Sequence, residues 1–349
     1  MSEILENNAT TPLSEYGEFG LIEHLTQGIE LKNVSTVLGI GDDAAIIDEK
    51  NRYQLVSTEL LVEGIHFDMH YTPLKHLGYK AIASNLSDIA AMNALPEQVL
   101  VGIALSSRYT VEAVDELYQG MRLCCNRYGV DLVGGDTTSS VSGLFISVTV
   151  LGYADKDKIT RRSGAEEHDL VCVSGDLGAA YMGLLLLERE KEVYLKDPNN
   201  QPDLDGNEYV LERQLKPEPR LDIVRQLAEN EILPTSMIDI SDGLASEILH
   251  ICKSSQKGCC LYEDKIPIDT TTNNLAREFG IIPSVAALNG GEDYELLFTI
   301  KQSDYEKVKQ LKDVSVIGYI TDKNSGCLLI TKDEKTVELK AQGWNSFRK

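Results

Sequence analysis

Aspartates recur along this chain in short segments whose other residues are small or apolar. The segments read GIGDDAAII, NLSDIAAM, VGGDTTSS and IDISDGL, and they contain Asp42, Asp43, Asp88, Asp136, Asp239 and Asp242. Carboxylates beside apolar strand residues are costly to remove from water without a partner, and few Lys or Arg stand in these segments. Hard divalent cations are natural partners, and an oxygen-only set of carboxylates and hydroxyls favours Mg²⁺. The pattern predicts that the segments converge on one metal–phosphate site.

Each segment also has a simpler interpretation when it is taken alone. A Gly-Asp pair usually forms a turn, and Asp88 could lie on the solvated flank of a helix. Ser241-Asp242-Gly243 could be only a helix N-cap followed by the first turn. The recurrence of such segments from Asp42 to Asp242 is what favours a shared site.

Other familiar kinds of site find little support in the sequence. There is no GxxxxGK[ST] loop, no GxGxxG segment opening a helix and no protein-kinase motif. His66 and His70 have the i, i+4 spacing of a zinc site, but no Glu follows His66, so we interpret His66 as a substrate contact. Cys259-Cys260 lacks an evident partner His, and the seven cysteines predict reduced, mostly buried thiols.

The composition narrows the class of protein. The chain has 349 residues, with 33 Lys and Arg against 55 Asp and Glu, a formal net charge of −22. The length predicts two domains, and the charge argues against a nucleic-acid or anionic-membrane surface. The N-terminus is acidic and polar, and no run approaches the roughly 20 apolar residues of a membrane span. We therefore expect a cytoplasmic protein that binds neither nucleic acid nor membrane.

Strand-like and helix-like segments alternate around the aspartates. Strands are predicted at residues 53–62 and 144–151, and amphipathic helices at 74–94 and 111–128. Further on, a strand at 169–174 precedes an apolar helix at 179–188, and later strands are expected at 294–300 and 315–320. This mixture predicts an α/β or α+β fold.

The polar stretch at residues 154–161 is the predicted boundary between two domains. We expect residues 1–154 to form a metal- and ATP-binding, dimerising domain and residues 155–349 to form an α/β domain. The charged segment 188–220, which contains KDPNNQPDLDG and KPEPR, has little apolar periodicity at its centre. It is predicted to be an exposed insertion.

Read in order, the segments carry a specific resemblance. They are GIGDDAAII, VSTELLVEGIHF, KAIASNLSDIAAM, LVGGDTTSS, TRRSGAEEHDLVCVSGDLG, IDISDGLASEILHI, LNGGEDYELLFT and GWNSF. The chain thereby resembles the thiamine-monophosphate kinase family, within the ATP-binding superfamily of aminoimidazole-ribonucleotide synthetase and selenophosphate synthetase. The match runs over residues 17–347, and the combination of STELLVEGIHF, NLSDIAAM and GGEDYEL is specific to the kinase branch.

The resemblance implies ATP-dependent phosphorylation of thiamine monophosphate to thiamine diphosphate, assisted by several Mg²⁺ ions. It implies the two-domain aminoimidazole-ribonucleotide-synthetase-like fold, in a homodimer that pairs its N-terminal sheets. The implied Mg²⁺ ligands are Asp43, Ser57, Thr58, Glu59, Asp88, Asp136, Asp239 and Asp242. The implied ATP contacts are Tyr118, Gly135, Asp136, Arg162 and Ser241, and the implied substrate contacts are His66, Glu292 and Trp344.

The chain departs from the family pattern at two positions. Glu59 stands where the family usually has Asp, which lengthens the third residue of the Ser-Thr-Asp cluster by one methylene. Asn93 replaces the Gly that commonly ends the helix carrying Asp88, and Asn is the usual substitute in a left-handed cap.

The acceptor implied by the resemblance is already an anionic phosphate, so no strong general base is expected. The implied chemistry is direct in-line transfer, with metal ions neutralising two phosphates that repel each other. Two alternatives remain open. One is a sibling synthetase that releases ADP and phosphate, and the other is a non-catalytic protein that binds divalent cations.

Overall fold

The computed structural model describes residue 20, residues 34–39 and residues 41–342. Its first sheet has six strands in the order β1-β2-β3-β6-β4-β5. The strands are β1 (Thr36–Leu38), β2 (Ala45–Glu49), β3 (Arg52–Val62), β4 (Leu95–Leu105), β5 (Asp131–Ser139) and β6 (Leu144–Asp155). All neighbours pair antiparallel except β4 and β5, which pair parallel.

Two long helices cover one face of this sheet. Helix α1 (Leu74–Ala91) and helix α2 (Val111–Tyr128) cross where Gly78 and Gly120 allow their backbones to touch. A Cβ at Gly78 would lie 1.9 Å from the carbonyl oxygen of Leu117, so no larger residue fits there without separating the helices. The crossing fixes α1 against the sheet.

The second sheet has seven strands in the order β13-β12-β9-β11-β7-β10-β8. They are β7 (Leu170–Ser174), β8 (Ser236–Asp239), β9 (Gly258–Tyr262), β10 (Leu296–Ile300), β11 (Val314–Thr321), β12 (Cys327–Ile330) and β13 (Thr336–Glu338). The pairs are antiparallel except β9 with β12, which is parallel. Strand β10 and the edge strand β8 are buried throughout, because both faces of the sheet pack against apolar side chains.

Seven further helices lie in the second half of the described chain. They are α3 (Ala179–Lys196), α4 (Glu208–Leu215), α5 (Leu221–Glu229), α6 (Leu244–Ser255), α7 (Thr270–Glu278), α8 (Pro283–Asn289) and α9 (Tyr305–Val308). Among the helices described, none is both long and apolar enough to cross a membrane.

Helix α1 lies between the two sheets. Its apolar residues, including Ile82 and Leu86, belong to the core beneath the first sheet. Ala90 and Ala91, at its C-terminal end, pack in the core that lines one face of the second sheet with Met237 and Phe298. Because α1 packs against both cores, fourteen of its eighteen residues are buried. The charged side chains of Lys80 and Asp88, further along α1 than the exposed Lys75, therefore face the interior.

The predicted elements agree closely with this architecture, and the α/β fold class is confirmed. The helix predicted at 111–128 has the same bounds as α2, and Asn93 has the left-handed φ of 55° expected for a helix cap. The predicted exposed insertion at 188–220 is wrong in its second half. Helix α4 lies there, Val210 and Gln214 are buried, and Arg220 is 8% exposed. The polar composition suggested exposure, but the charges of Arg213 and Arg220 are used in ion pairs with the buried Glu295.

Candidate active site

Three carboxylates from distant parts of the chain meet where α1 lies against the second sheet. Asp43 precedes β2, Asp88 lies on α1, and Asp239 ends β8, and each offers an oxygen within 4.8 Å of the other two. The side chain of Asp43 is only 3% exposed, and Asp239 is buried. A compact set of carboxylate oxygens suits a hard divalent cation such as Mg²⁺.

Burial and mutual repulsion raise the pKa values of Asp88 and Asp239. The pKa of Asp88 is raised well above its usual value by burial and then by the charges of Glu59 and Asp239. The pKa of Asp239 is raised to about 7, by burial and then by the charge of Asp43. Glu59 thus belongs to the same electrostatic cluster. A bound cation would reverse the sign of this effect, so the donor set fits Mg²⁺.

Two serine hydroxyls orient the carboxylates. Ser57 on β3 donates to Asp88 Oδ2 at 2.7 Å, and Ser87 on α1 donates to Asp239 Oδ2 at 2.6 Å. Ser57 was predicted as a ligand, whereas Ser87 was missed. The segment NLSD contains it directly before Asp88, which is the signal that could have identified it.

Other predicted ligands are not brought to this cluster. Strand alternation sends the Thr58 side chain to the opposite face of β3 from Ser57, where its hydroxyl donates to Val148 O at 3.1 Å. Asp136 lies exposed on the edge strand β5, which is three strands from β3, or roughly 14 Å at ordinary strand spacing. Gly135 beside it is required for packing, because a Cβ would lie 1.8 Å from Val101 O.

Arg162 is ion-paired with the first aspartate of the cluster. Its guanidinium donates to Asp43 from Nε at 3.1 Å and from Nη2 at 2.6 Å, and its backbone N–H donates to Asp42 Oδ2 at 3.2 Å. The predicted ATP contact and the predicted metal ligand therefore contact each other. A bidentate guanidinium of this kind matches a phosphate as well as a carboxylate.

Ser255, at the end of α6, holds the loop that carries Arg162. Its hydroxyl oxygen accepts from the backbone N–H groups of Gly164 and Ala165, at 3.2 and 3.1 Å, and donates to Arg162 O at 3.4 Å. No pattern in the sequence marks this contact, because Ser255 stands 93 residues from Arg162 in an ordinary polar segment.

The loop after β8 holds Ser241 and Asp242 at the start of α6. Glu247 accepts from the Asp242 backbone N–H at 3.0 Å and from the Ser241 hydroxyl at 3.3 Å, so its carboxylate ties this loop to the first turn of the helix. Gly243 has a φ of 111°, and a Cβ there would lie 2.8 Å from Gly290 O. The helix begins after Gly243 without a side-chain cap, so the simple N-cap interpretation of this segment is wrong, and the Ser-Asp pair lies in the loop that follows Asp239.

The GGED segment supplies a second acidic group with its own cation. Glu292 accepts from Lys80 Nζ at 2.8 Å and from Gln214 Nε2 at 2.8 Å. Lys80 is 4% exposed on α1, so this positive charge is held inside the protein. The pKa of the nearby Tyr294 is raised by burial and then by the charges of Glu292 and Glu59, which keeps its hydroxyl protonated. Lys80 and Tyr294 were not predicted as site residues, although Tyr294 belongs to the GGEDYEL segment.

The remaining predicted contacts lie elsewhere or outside the described residues. His66 is exposed in the turn after β3, where its Nδ1 accepts from the Val62 N–H at 3.0 Å. Tyr118 is half-buried on α2 and packs against the core under the first sheet. Trp344 lies outside the described residues.

The chain matches two consecutive family models over most of its length. Residues 41–154 match the N-terminal domain of AIR synthase related protein, and residues 166–329 match the C-terminal domain. The fold and the acidic site between the sheets thus define an AIR synthase related protein.

Individual relatives narrow the family. The chain is 34% identical to the thiamine-monophosphate kinase of Bacillus subtilis (strain 168), over 95% of this chain and 99% of that protein. It is 32% identical to the thiamine-monophosphate kinase of Aquifex aeolicus (strain VF5), over 96% and 99%. Among solved structures, AaThiL complexed with AMPPCP and TMP is 30% identical with a TM-score of 0.83, covering 96% of this chain and 99% of that one. The chain belongs to the thiamine-monophosphate kinase family.

Proposed function

We propose that this chain transfers the γ-phosphoryl group of ATP to the phosphate of thiamine monophosphate. A phosphate oxygen of the acceptor forms the new P–O bond, the bond between the β- and γ-phosphates breaks, and the products are thiamine diphosphate and ADP. The observation that carries the proposal is the convergence of Asp43, Asp88 and Asp239 between the two sheets. Membership of the kinase family, in which a solved relative is complexed with AMPPCP and TMP, supports the choice of substrates.

Asp43, Asp88, Glu59 and Asp239 would hold Mg²⁺, with the Ser57 hydroxyl beside them. Bound Mg²⁺ supplies charge neutralisation for two phosphate groups that repel each other. Ser57 and Ser87 fix the carboxylates by hydrogen bonds, so their oxygens need little reorganisation to bind a cation. Asp242 follows Asp239 on the loop capped by Glu247 and would add a ligand from that side.

Arg162 pairs with Asp42 and Asp43 in this structure, and we assign its guanidinium a second role in binding ATP. We propose that its guanidinium exchanges Asp43 for a phosphate of ATP when Asp43 binds a cation. The exchange keeps both charges compensated, because the guanidinium fork fits either group. Ser255 holds the Arg162 loop through backbone contacts that do not use the guanidinium, and the guanidinium is therefore free to change partner.

Glu292 and Lys80 would position the acceptor. The Lys80–Glu292 pair places a buried positive group beside a partly exposed negative group, which suits a substrate that carries both a phosphate and a thiazolium. We propose His66, Glu292 and Trp344 as contacts to that substrate. Tyr118, Gly135 and Ser241 are retained as proposed contacts to ATP.

A homodimer and the remaining predicted ligands belong to the same proposal. Leu60, Leu100 and Val133 are exposed on the strands of the first sheet, and the edge strand β5 exposes nearly all its residues. An apolar sheet face of this kind favours association with a second copy. Asp136 lies on β5 and Thr58 lies on the exposed face of β3, so both would then act near an interface between chains.

We also propose that the boundary between the two domains falls between residues 154 and 155.

The test is an assay of the purified chain with Mg²⁺, ATP and thiamine monophosphate. Thiamine diphosphate and ADP formed in equal amounts would support the proposal. ADP and free phosphate with unchanged thiamine monophosphate would contradict it and indicate a sibling synthetase. Thermal stabilisation by Mg²⁺ alone, with no added effect of ATP, would instead favour a cation-binding protein.

A further inference from the structure

Three cysteines from separate elements come together in the second half of the chain, away from the aspartate cluster. Cys252 lies near the end of α6, Cys259 lies on β9 and Cys327 begins β12. Each offers a sulfur atom, and the three sulfur atoms lie within 4.8 Å of one another. Cys252 and Cys259 are buried, and Cys327 is partly exposed. The group has an apolar environment with one side open to solvent.

The fold brings these thiols together by register rather than by chance proximity of mobile loops. Strands β9 and β12 pair parallel with Cys259 opposite Cys327. Helix α6 enters β9 through a tight turn in which the Lys257 N–H donates to Cys252 O at 3.0 Å. Cys252 and Cys259 belong to one core cluster, and Cys327 packs against it.

The three thiols hydrogen-bond to one another, so their sulfur atoms already surround a common point. Hydrogen bonds from the thiols of Cys252 and Cys259 lower the pKa of Cys327. A thiolate is the form of cysteine that binds metals. The pair of donors also places two further sulfur atoms around that thiolate.

We propose that Cys252, Cys259 and Cys327 form a three-coordinate thiolate site for a soft metal ion of the Cu(I) class. Three sulfur atoms arranged trigonally around an ion at about 2.3 Å lie roughly 4 Å apart, which is within the separation of these atoms. The site would fill with a small contraction of side chains and no rearrangement of the strands.

The chemistry of the donors selects the ion. Among the described residues, no histidine or carboxylate joins the three sulfur atoms within this distance. Sulfur-only ligands disfavour Mg²⁺ and Ca²⁺, which take oxygen. A closed structural zinc site needs a fourth protein ligand, whereas Cu(I) is satisfied by soft sulfur ligands in lower number.

The test is an anaerobic titration of the reduced chain with Cu(I) against bicinchoninate as a competing chelator. We expect one Cu(I) per chain to be retained, and copper X-ray absorption to show three sulfur neighbours. We also expect a higher thermal midpoint after loading, because the site exists only in the folded chain. Cys259→Ser should weaken Cu(I) binding by at least about tenfold.

Cys260→Ser is the matched control, because Cys260 is the next residue on β9 and its thiol interacts with Tyr319 on the opposite face of the strand. It should bind Cu(I) like the unsubstituted chain. If Cys259→Ser does not fold, as judged by circular dichroism without copper, Cys327→Ser at the partly exposed position replaces it. Equal binding in Cys260→Ser and either site variant, nitrogen or oxygen neighbours of copper, or no retained Cu(I) would overturn the proposal.

Discussion

The hydroxyl of Ser87 donates a 2.6 Å hydrogen bond to Asp239, and the two residues stand 152 positions apart in the chain. Ser87 lies on α1 beneath the first sheet, and Asp239 ends a strand of the second. The bond joins the two halves at the centre of the carboxylate cluster. Ser87 and Asp239 therefore serve both the carboxylate cluster and the contact between the two halves of the chain.

Asp88→Asn should abolish turnover without weakening the fold. The substitution keeps the shape of the side chain and removes one negative charge from a crowded cluster. We expect kcat to fall by at least about a hundredfold. In EDTA the thermal midpoint should equal or exceed that of the unsubstituted chain, since ionised Asp88 is repelled by Glu59 and Asp239.

The control for this experiment is Asp157→Asn, at an exposed turn. It should change neither activity nor stability. A clear drop in the midpoint of Asp88→Asn in EDTA would mean that Asp88 is a structural residue. Turnover within about tenfold of the unsubstituted chain would exclude it as a metal ligand.

Glu59→Asp should keep activity within about tenfold, because a carboxylate remains at the position. The shorter side chain moves the oxygen by roughly an ångström, and Mg²⁺ tolerates little deviation from octahedral geometry. We therefore expect a changed apparent affinity for Mg²⁺ with kcat little altered. Glu59→Gln, which removes the charge, is the comparison. Complete inactivation by Glu59→Asp would show that the site is built around the longer side chain.

Ser255→Ala should raise KM for ATP several-fold with little effect on the fold. The change removes the hydroxyl that accepts from Gly164 and Ala165 and so loosens the loop of Arg162. Steady-state kinetics with ATP varied measure the effect. Ser254→Ala, at the exposed neighbouring position, is the matched control. Equal kinetics for the two variants would contradict the role of Ser255.

Glu295→Ala should destabilise the chain strongly. Glu295 is buried between Arg213 at 2.8 Å and Arg220 at 2.6 Å, and its removal leaves both guanidinium groups without their buried partner. We expect a loss of about 3–5 kcal/mol in the free energy of unfolding. Denaturant unfolding measures it, with Glu306→Ala, at an exposed ion pair, as a control expected within about 0.5 kcal/mol. A similar small loss for both would contradict the network.

Acid should destabilise the chain through His250. Burial and then the charge of Arg162 lower the pKa of His250 to about 4, below the usual 6.5. Between these values the unfolded chain binds the proton and the folded chain does not, so this contribution to stability is lost as pH falls from 7 towards 4. His250→Gln should reduce the difference in unfolding free energy between pH 7 and pH 5 by about 1–2 kcal/mol. An unchanged difference would show that His250 titrates normally.

The sequence predicted the main elements of the fold because their patterns are local. A run of β-forming residues predicted β3, alternation predicted β6, and apolar spacing ending at Gly129 predicted α2 with its observed bounds. Segment 188–220 was mispredicted at α4 because Arg213 and Arg220 find their partner Glu295 about 80 residues away. A buried ion pair over such a distance has no local signature.

The sequence predicted the aspartates of the site, whereas the residues that orient them were found only from contacts in the structure. Asp43, Asp88 and Asp239 were identified because small residues flank each of them. Ser255 was missed because a serine in a polar segment carries no pattern. Ser87 was missed although it directly precedes Asp88, because its partner Asp239 comes from a strand 152 residues away. Thr58 was assigned with its neighbours although strand alternation sends its side chain to the other face.

Transfer of the γ-phosphoryl group is tested most directly with ATP labelled with ¹⁸O in its γ-phosphoryl oxygens. The purified chain is incubated with this ATP, Mg²⁺ and thiamine monophosphate, and the masses of the products are measured by mass spectrometry. We predict that the labelled phosphoryl group appears whole in thiamine diphosphate, in an amount equal to the ADP formed. Label recovered in free phosphate, with thiamine monophosphate unchanged, would contradict direct transfer to this acceptor.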